Sequence, residues 1–160
     1  MLSYIKATQN DIKILVDYRI EFLIDFWGPQ EQKDIDALSE NLYRIFKEYY
    51  EQNSYLCYIA YDGSTIAGIG GMILREQPGN FKNPTGKIGY VLNMYTIPEY
   101  RRKGICSTIL EKLTEDAVAL GITAFELHAT REGEPVYIKH GFRIHTEPTY
   151  RKMISKKTNT

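Results

Sequence analysis

Apolar residues recur at helical spacing over two stretches in the first third of the chain. The first stretch has them at Ile12, Leu15, Val16, Leu23 and Phe26, and the second at Ile35, Leu38, Leu42, Ile45, Phe46 and Tyr49. This spacing places the apolar side chains on one face of an α-helix. Asp11 is a candidate N-cap of the first helix, and Gly28-Pro29 separates the two. Two amphipathic helices are therefore predicted after a short apolar start.

The pattern then changes to the runs of aromatic and β-branched residues that are typical of strands. Residues 55–61 and 64–74 flank an Asp-Gly pair, which favours a hairpin turn. The prolines, glycines and asparagines of residues 77–86 predict an exposed loop. Residues 88–97 form a further predicted strand, which Pro98 ends because proline has no N–H to continue a ladder.

Helical spacing returns in residues 105–120, which predict an amphipathic helix that ends at Gly121. Residues 122–129 then predict a strand, so a strand, a helix and a strand form a βαβ unit with parallel pairing. A short helix over 132–140 and a last strand or hairpin over 142–154 follow. The predicted fold class is α+β, a single domain with a mixed β-sheet flanked by helices around a central βαβ cofactor-binding unit.

Composition narrows the class of protein. The 160 residues include 20 basic and 20 acidic residues, so the net charge of zero gives no overall attraction to nucleic acid or to an anionic membrane. Cys57 and Cys106 are too few for a disulfide framework, which suits a reducing compartment. No apolar run is long enough to span a bilayer, and the start lacks a signal-peptide pattern. We therefore expect one cytoplasmic domain over residues 1–160, with frayed residues at 155–160.

A basic cluster lies where a predicted strand is followed by a predicted helix. The segment reads Arg101-Arg102-Lys103-Gly104-Ile105-Cys106-Ser107. The first N–H groups of a helix lack intrahelical partners, and the helix dipole adds positive potential there, so a phosphate can satisfy several donors together. Gly104 lets the backbone approach such a group without a Cβ in the way. The alternative is a solvated basic turn, but the position between strand and helix favours an anion site.

Two motifs in this order resemble those of the GNAT superfamily of acyl-CoA N-acyltransferases. The superfamily's phosphate loop reads Arg or Gln, two residues, Gly, one residue, then Gly or Ala, and Arg101, Gly104 and Cys106 occupy those places. Downstream, Tyr137 begins a segment that resembles the superfamily's signature of Tyr, three residues and Gly-Phe. The resemblance is specific from about residue 90 to residue 142.

The chain departs from the superfamily's pattern at four positions. Cys106 stands where a smaller Gly or Ala is usual, and Arg102 stands where Gly is frequent. Thr130 and Gly133 stand where Asn and Ala are often found. Side-chain contacts to a cofactor at the last two positions are therefore not expected.

The resemblance implies an N-acetyltransferase that moves an acetyl group from acetyl-CoA to a primary amine by direct attack. The cofactor-binding residues that it implies are Met94, Tyr95, Thr96, Arg101, Arg102, Lys103, Gly104, Ile105, Cys106 and Ser107. The backbone of residues 94–96 would pair with the pantetheine arm like an added strand. A backbone N–H near Met94 would stabilise the developing oxyanion, and Tyr137 would act as general acid on the CoA thiolate.

Several questions remain open at this level. The candidates for a general base are Glu21, Asp25, Glu76, Glu126 and Glu132, and ordered water is a further possibility. Aromatic residues in or between the first two helices, which could line an acceptor pocket or belong to the core, are Phe26, Trp27, Tyr43 and Tyr49. The acceptor could be a polyamine, an antibiotic, an amino acid, or a protein N-terminus or lysine, and the protein could be a monomer or a homodimer.

Other functions are weighed against the acetyltransferase. A non-catalytic acyl-CoA sensor or interaction module would use the same phosphate loop, with Tyr137 only packing beside Gly141. Cys106 could be a nucleophile at a helix N-terminus, but no histidine has motif support as its base. The chain's histidines lack the spacing of metal ligands, so no metal is expected. The glycines at 68, 70 and 71 match no nucleotide-binding motif and indicate a bulge or close packing.

Overall fold

The computed structural model describes residues 1–155. In that range the strands are β1 Leu2–Lys6, β2 Tyr55–Asp62, β3 Thr65–Glu76, β4 Lys87–Thr96 and β5 Phe125–Glu126. The α-helices there are α1 Ile12–Trp27, α2 Gln32–Glu51, α3 Ile105–Ala119 and α4 Glu134–Lys139, with single 3-10 turns at Gln9–Asp11 and Pro98–Tyr100. The chain forms two compact units, which divide after His128. The first unit contains all five strands, and the second contains α4. Apart from Ser155, the frayed end expected at 155–160 lies outside the described residues.

The five strands form one mixed sheet in the order β1-β2-β3-β4-β5. The first three pairings are antiparallel, whereas β4 and β5 are parallel and are joined through α3. The predicted α+β class, with helices flanking a mixed sheet around a βαβ unit, is confirmed. No helix within residues 1–155 has both the length and the apolar character that a membrane span requires.

Helices cover both faces of the sheet. Successive side chains of a strand point to opposite faces, so the apolar residues of one strand can pack on helices on either side. Cys57 and Ile59 of β2 belong to a core with Leu15 of α1 and Phe46 of α2. The opposite face packs on α3, where Tyr58 donates a hydrogen bond to Asp116 at 2.8 Å. Helices α1 and α2 therefore form one layer, and α3 forms the other.

The glycines of β3 mark a bulge and close packing, as predicted. The β3–β4 register shifts between Ile69 and Gly71. A Cβ on Gly70 would overlap the Met94 sulfur and lie 2.6 Å from Cγ2 of Ile109, and one on Gly71 would overlap the Tyr55 hydroxyl. These positions therefore have room only for glycine.

The start of α1 is capped one turn earlier than the sequence predicts. Asp11 occupies the N-cap position of α1, but its side chain makes no cap hydrogen bond to that helix. Instead, the Asp11 carboxylate accepts a hydrogen bond from the backbone N–H of Thr8 at 2.8 Å, and the Thr8 hydroxyl accepts one from Asn10 at 3.2 Å. Thr8 and Asp11 thus form a capping box on the preceding 3-10 turn.

Two strand predictions need correction. The strand predicted over 122–129 is reduced to Phe125–Glu126, because β5 pairs with β4 only at Gly89 and Tyr90. The strand or hairpin predicted over 142–154 is wrong, because no strand occurs there. Phe142 is half-buried against Tyr137, but the large apolar side chains at positions 144, 150, 153 and 154 are exposed, so no sheet face buries them. An alternating pattern of apolar and polar residues does not by itself produce a strand. The segment also needs a neighbouring strand to pair with and a face of the sheet on which its apolar side chains can pack.

Candidate active site

The basic loop after β4 adopts a conformation that favours glycine at two positions. Arg102 has φ +64° and Gly104 has φ +79°, so both residues lie in the left-handed region. A side chain at such a φ is strained, which accounts for the glycine that is frequent at the place of Arg102 in the superfamily. A Cβ on Gly104 would meet no atom within 4 Å. Gly104 therefore faces open space, where a ligand has room to approach the backbone.

The start of α3 is held firmly against the sheet. Ile105 is buried, and its Cγ2 atom would lie 2.8 Å from a Cβ on Gly68. The Gly104 carbonyl accepts hydrogen bonds from the backbone N–H and the hydroxyl of Thr108, at 3.0 and 3.1 Å. The first turn of α3 contains no acidic residue. The positive potential of this helix end is therefore not neutralised from within the turn.

The three cations of the loop have different surroundings. Arg101 pairs with Asp25 of α1 at 2.9 Å and donates from Nε to the Thr96 carbonyl at 3.0 Å, so it joins the loop to α1 and to the end of β4. Arg102 and Lys103 are exposed. Cys106 and Ser107 are half-buried in the first turn of α3.

A β-bulge lies in the middle of β4. Leu92 pairs with Gly71 and Tyr95 pairs with Ile69, so Asn93 and Met94 together oppose a single residue, Gly70. Asn93 has φ +58° and is 6% exposed. No motif points to Asn93, but asparagine in a long strand is a signal, because it tolerates the left-handed region better than other non-glycine residues.

Beyond Tyr90, β4 has a long stretch of backbone with no strand on one side. The parallel ladder to β5 ends at the pair Tyr90 and Glu126, whereas β4 continues to Thr96. Within residues 1–155, no other strand pairs with that edge. Met94, Tyr95 and Thr96 lie on this stretch. A strand edge of this kind can pair with an extended ligand.

Tyr137 lies on α4 in the second unit and is 8% exposed. Its ring packs edge-on against Phe142, with 6.0 Å between ring centroids and an interplanar angle of 69°. A Cβ on Gly133 would lie 3.1 Å from a carbon of the Tyr137 ring, so glycine gives the ring room where the superfamily often has Ala. Thr130 accepts a hydrogen bond from the backbone N–H of Gly133 through its hydroxyl, at 3.2 Å. Both departures from the pattern therefore have a local structural role.

The four aromatic residues considered for an acceptor pocket separate into two groups. Tyr49 stacks on Tyr55, with 5.8 Å between centroids, and belongs to the core region. Phe26, Trp27 and Tyr43 are exposed. A cavity of about 270 Å³ between α1 and α2 includes only Trp27 of the four; it is lined by Ile20, Leu23, Ile24, Trp27, Gln30, Asp34, Ile35 and Leu38.

The carboxylates considered as general bases are all exposed. Asp25 is paired with Arg101, and Glu126 is paired with Arg75 at 2.8 Å. The Arg75 guanidinium also lies 4.7 Å from the centroid of the Tyr90 ring. The Tyr90 hydroxyl in turn forms a hydrogen bond of 2.5 Å with Nδ1 of His128.

A model of the acetyltransferase (GNAT) family matches residues 19–142. The chain belongs to the GNAT acetyltransferase family. The resemblance found in the sequence motifs is therefore confirmed, and the match covers the phosphate-loop segment, the bulge in β4 and Tyr137.

Solved GNAT structures agree with this assignment. A predicted acetyltransferase from Clostridium acetobutylicum, solved with acetyl-CoA, is 33% identical over 95% of this chain and 96% of its own, with a TM-score of 0.86. A GCN5-related N-acetyltransferase from Ralstonia eutropha JMP134 is 21% identical over 95% and 99% of the two chains, with a TM-score of 0.83. Glucosamine-6-phosphate N-acetyltransferase from Arabidopsis thaliana is 16% identical over 96% and 100%, with a TM-score of 0.70. Because their sequence identity to this chain is low, the last two structures support only the assignment of the fold. A comparison with curated proteins gave no match.

Proposed function

We propose that this GNAT acetyltransferase is an N-acetyltransferase that transfers the acetyl group of acetyl-CoA to a primary amine, with residues 1–160 acting as one domain. The observation that carries the proposal is the loop that opens α3. There, Arg102 and Gly104 hold the backbone in the left-handed region, and Gly104 faces open space. A backbone turn of this kind at a helix N-terminus suits a pyrophosphate.

The residues present fit acetyl-CoA along the loop and along β4. Arg102, Lys103 and the backbone from Gly104 to Ser107 would bind the phosphates, while Arg101 would fix the loop through Asp25 and Thr96. The free edge of β4 at residues 94–96 would hold the pantetheine arm by main-chain hydrogen bonds. When bound, acetyl-CoA supplies the acetyl group as an activated thioester.

The bulge in β4 and the motif that begins at Tyr137 support the catalytic roles that we propose. We assign the stabilisation of the developing oxyanion to the backbone N–H of Met94, because the bulge interrupts the ladder at that position. We assign protonation of the leaving thiolate to the Tyr137 hydroxyl. The neutral amine would attack the acetyl carbonyl directly, so a C–N bond would form as the C–S bond breaks and no protein nucleophile would be needed. The proton lost by the amine would pass to solvent, and Tyr137 would regain a proton from solvent.

The test is calorimetric titration of acetyl-CoA into the wild type and into Gly104→Glu. The substitution puts bulk and negative charge where the phosphates would bind. Gly63→Glu is the matched control, because Gly63 also has a positive φ, of +60°, and open space around its Cβ position, but lies in the β2–β3 hairpin. We expect binding to be lost in Gly104→Glu and kept in Gly63→Glu. If the wild type itself does not bind acetyl-CoA, the proposal is wrong.

Turnover separates the enzyme from a non-catalytic sensor of acyl-CoA. Release of the CoA thiol is followed with a panel of amines, for the wild type and for Tyr137→Phe. We expect the variant to bind acetyl-CoA as the wild type does but to lose about 10²-fold or more in kcat, the usual contribution of a general acid. Binding without turnover of any amine would favour the sensor.

A further inference from the structure

Arg19 is a half-buried cation that has no counter-ion among residues 1–155. It lies on the side of α1 that packs on the sheet, and its Cζ atom is 5.6 Å from the centroid of the Phe22 ring. Within residues 1–155, Arg19 takes part in none of the ion pairs and none of the side-chain hydrogen bonds. Burial lowers the pKa of Arg19. Within residues 1–155, no carboxylate pairs with this guanidinium to offset its loss of hydration.

Other arginines of the first unit contrast with Arg19. Arg44, Arg75 and Arg101 each have a carboxylate within 2.9 Å. These three are more exposed than Arg19, so water already solvates them. A shielded cation is stabilised most by an anion that replaces its lost water, and the described part of the chain supplies none at Arg19.

A second unsatisfied polar group lies on the same face of the sheet. Asn93, which forms the β4 bulge with Met94, donates from Nδ2 to the Tyr55 hydroxyl at 3.3 Å. Its Oδ1 atom is buried and has no hydrogen-bond partner in the part of the chain that the structure describes. Exchanging the two amide atoms would leave Nδ2 unpartnered instead. More than about 90% of buried polar groups are hydrogen-bonded, so an orphan beside the acetyl-transfer position points to a ligand.

Contacts between α1 and β4 place the two groups close together. Arg19 lies against the Phe22 ring, and that ring packs edge-on against Tyr95 of β4, with 6.1 Å between centroids. Tyr95 lies two residues beyond Asn93 on β4. The cation and the buried amide therefore both lie where α1 packs on β4. This combination suits a small molecule that has a negative group at one end and an N–H donor at the other.

We propose that the amine acceptor of this enzyme carries its own carboxylate, which pairs with Arg19, while Asn93 hydrogen-bonds the acceptor beside the reacting nitrogen. This inference rests on the proposed acetyl transfer. The acceptor class is a short zwitterionic amine, of which an α-amino acid is the simplest case. A guanidinium binds a carboxylate through two parallel hydrogen bonds, so Arg19 also orients the acceptor. Polyamines and aminoglycosides, which are cationic throughout, would be repelled by Arg19.

The experiment compares acceptors that differ only in charge. The twenty α-amino acids are assayed beside their carboxamides, and glucosamine 6-phosphate is assayed beside glucosamine. In the wild type we expect kcat/KM to be about 10- to 100-fold higher for the carboxylate of the preferred pair than for its carboxamide, the usual effect of a charge-assisted hydrogen bond. Preference for the phosphate pair alone would overturn the carboxylate assignment.

Variants of Arg19 test whether that residue recognises the carboxylate of the acceptor. Arg19→Gln should abolish the preference for the carboxylate and leave KM for acetyl-CoA unchanged. Arg19→Lys should keep part of that preference, because lysine retains the positive charge but cannot form the two parallel hydrogen bonds of a guanidinium. Arg44→Gln, on the exposed side of α2, is the matched control and should keep the full preference. A preference that survives in Arg19→Gln, with unchanged thermal stability, would overturn the proposal.

The two proposals fail in different ways. If amines are acetylated without regard to charge, the acetyltransferase stands and the role of Arg19 is refuted. If no amine is acetylated, binding of the same amino acids is measured by saturation-transfer NMR. Binding that weakens about 10-fold or more in Arg19→Gln supports the carboxylate site even then. Equal binding by the two proteins, or none by either, overturns it.

Discussion

The Arg101 guanidinium lies 2.9 Å from the Asp25 carboxylate, so the loop that opens α3 is joined to the C-terminal half of α1. The same guanidinium donates to the Thr96 carbonyl and sits 5.7 Å from the centroid of the Tyr95 ring. Phe22 of α1 packs edge-on against that ring, with 6.1 Å between centroids. The helix that carries Arg19 thus contacts both the phosphate loop and the end of β4.

Asp25→Asn should weaken acetyl-CoA binding more than it weakens the fold. The Arg101 side chain is 39% exposed and the Asp25 side chain is 51% exposed. An ion pair that is this accessible to solvent contributes about 0–1 kcal/mol to stability. We expect a melting temperature close to that of the wild type and a several-fold rise in KM for acetyl-CoA, because the loop loses one of its fixed contacts. Asp17→Asn, which breaks an exposed pair with Lys13 on the same helix, is the control. An equal rise in KM in both variants would contradict this account.

Arg102→Gly should not destabilise the protein. Its left-handed φ of +64° costs a non-glycine residue about 1 kcal/mol or more, which offsets the greater freedom of glycine in the unfolded chain. Lys103→Gly removes the same charge at a neighbouring position without a positive φ, so it should lower the melting temperature. Urea denaturation of the two variants decides the point, and a larger loss of stability in Arg102→Gly would contradict it.

Gly70→Ala should destabilise the bulge in β4. The new Cβ would overlap the Met94 sulfur and approach Cγ2 of Ile109 to 2.6 Å, and overpacking of this kind costs about 1–3 kcal/mol. The free energy of unfolding, measured in urea, should fall by that amount. Adding Met94→Ala should restore part of the loss, because it removes the closer of the two obstacles. No recovery of stability in the double variant would mean that the clash with Ile109 of α3, rather than the clash with Met94 of β4, accounts for the loss.

Asp116 should make stability depend on pH at the acid end. Burial disfavours its ionised form, but hydrogen bonds from Lys6 and Tyr58 outweigh burial and lower the pKa of the Asp116 carboxyl below its ordinary value of 3.8. A lowered folded-state pKa means that the stabilisation is present above pH 3.8 and is lost as the pH falls through the folded-state pKa. Asp116→Asn should flatten the stability curve in that range. An unchanged slope between about pH 5 and pH 2 would refute the assignment.

The helices were predictable because each has a periodic apolar face. The long strands were predictable because runs of aromatic and β-branched residues stand between turn residues, and β2 and β3 are largely buried on both faces. Phosphate binding by the basic loop stays a prediction. The start of α3 after Gly104 was predictable because the glycine and the apolar helical pattern are adjacent in sequence. The short β5 was not, because its length is set by where its ladder to β4 ends at Tyr90 rather than by its own residues. Arg19 was not, because an arginine among helical residues signals nothing until its lack of a counter-ion is known.

The edge of β4 beyond Tyr90 has a consequence for the handling of the protein. A strand with unpaired main-chain groups is a template for association with another chain. In the proposed function acetyl-CoA occupies this edge, so the donor also acts as a cap against self-association. The colloidal stability of the purified protein would then follow the supply of its donor, and stocks prepared with acetyl-CoA should tolerate higher concentrations before they aggregate.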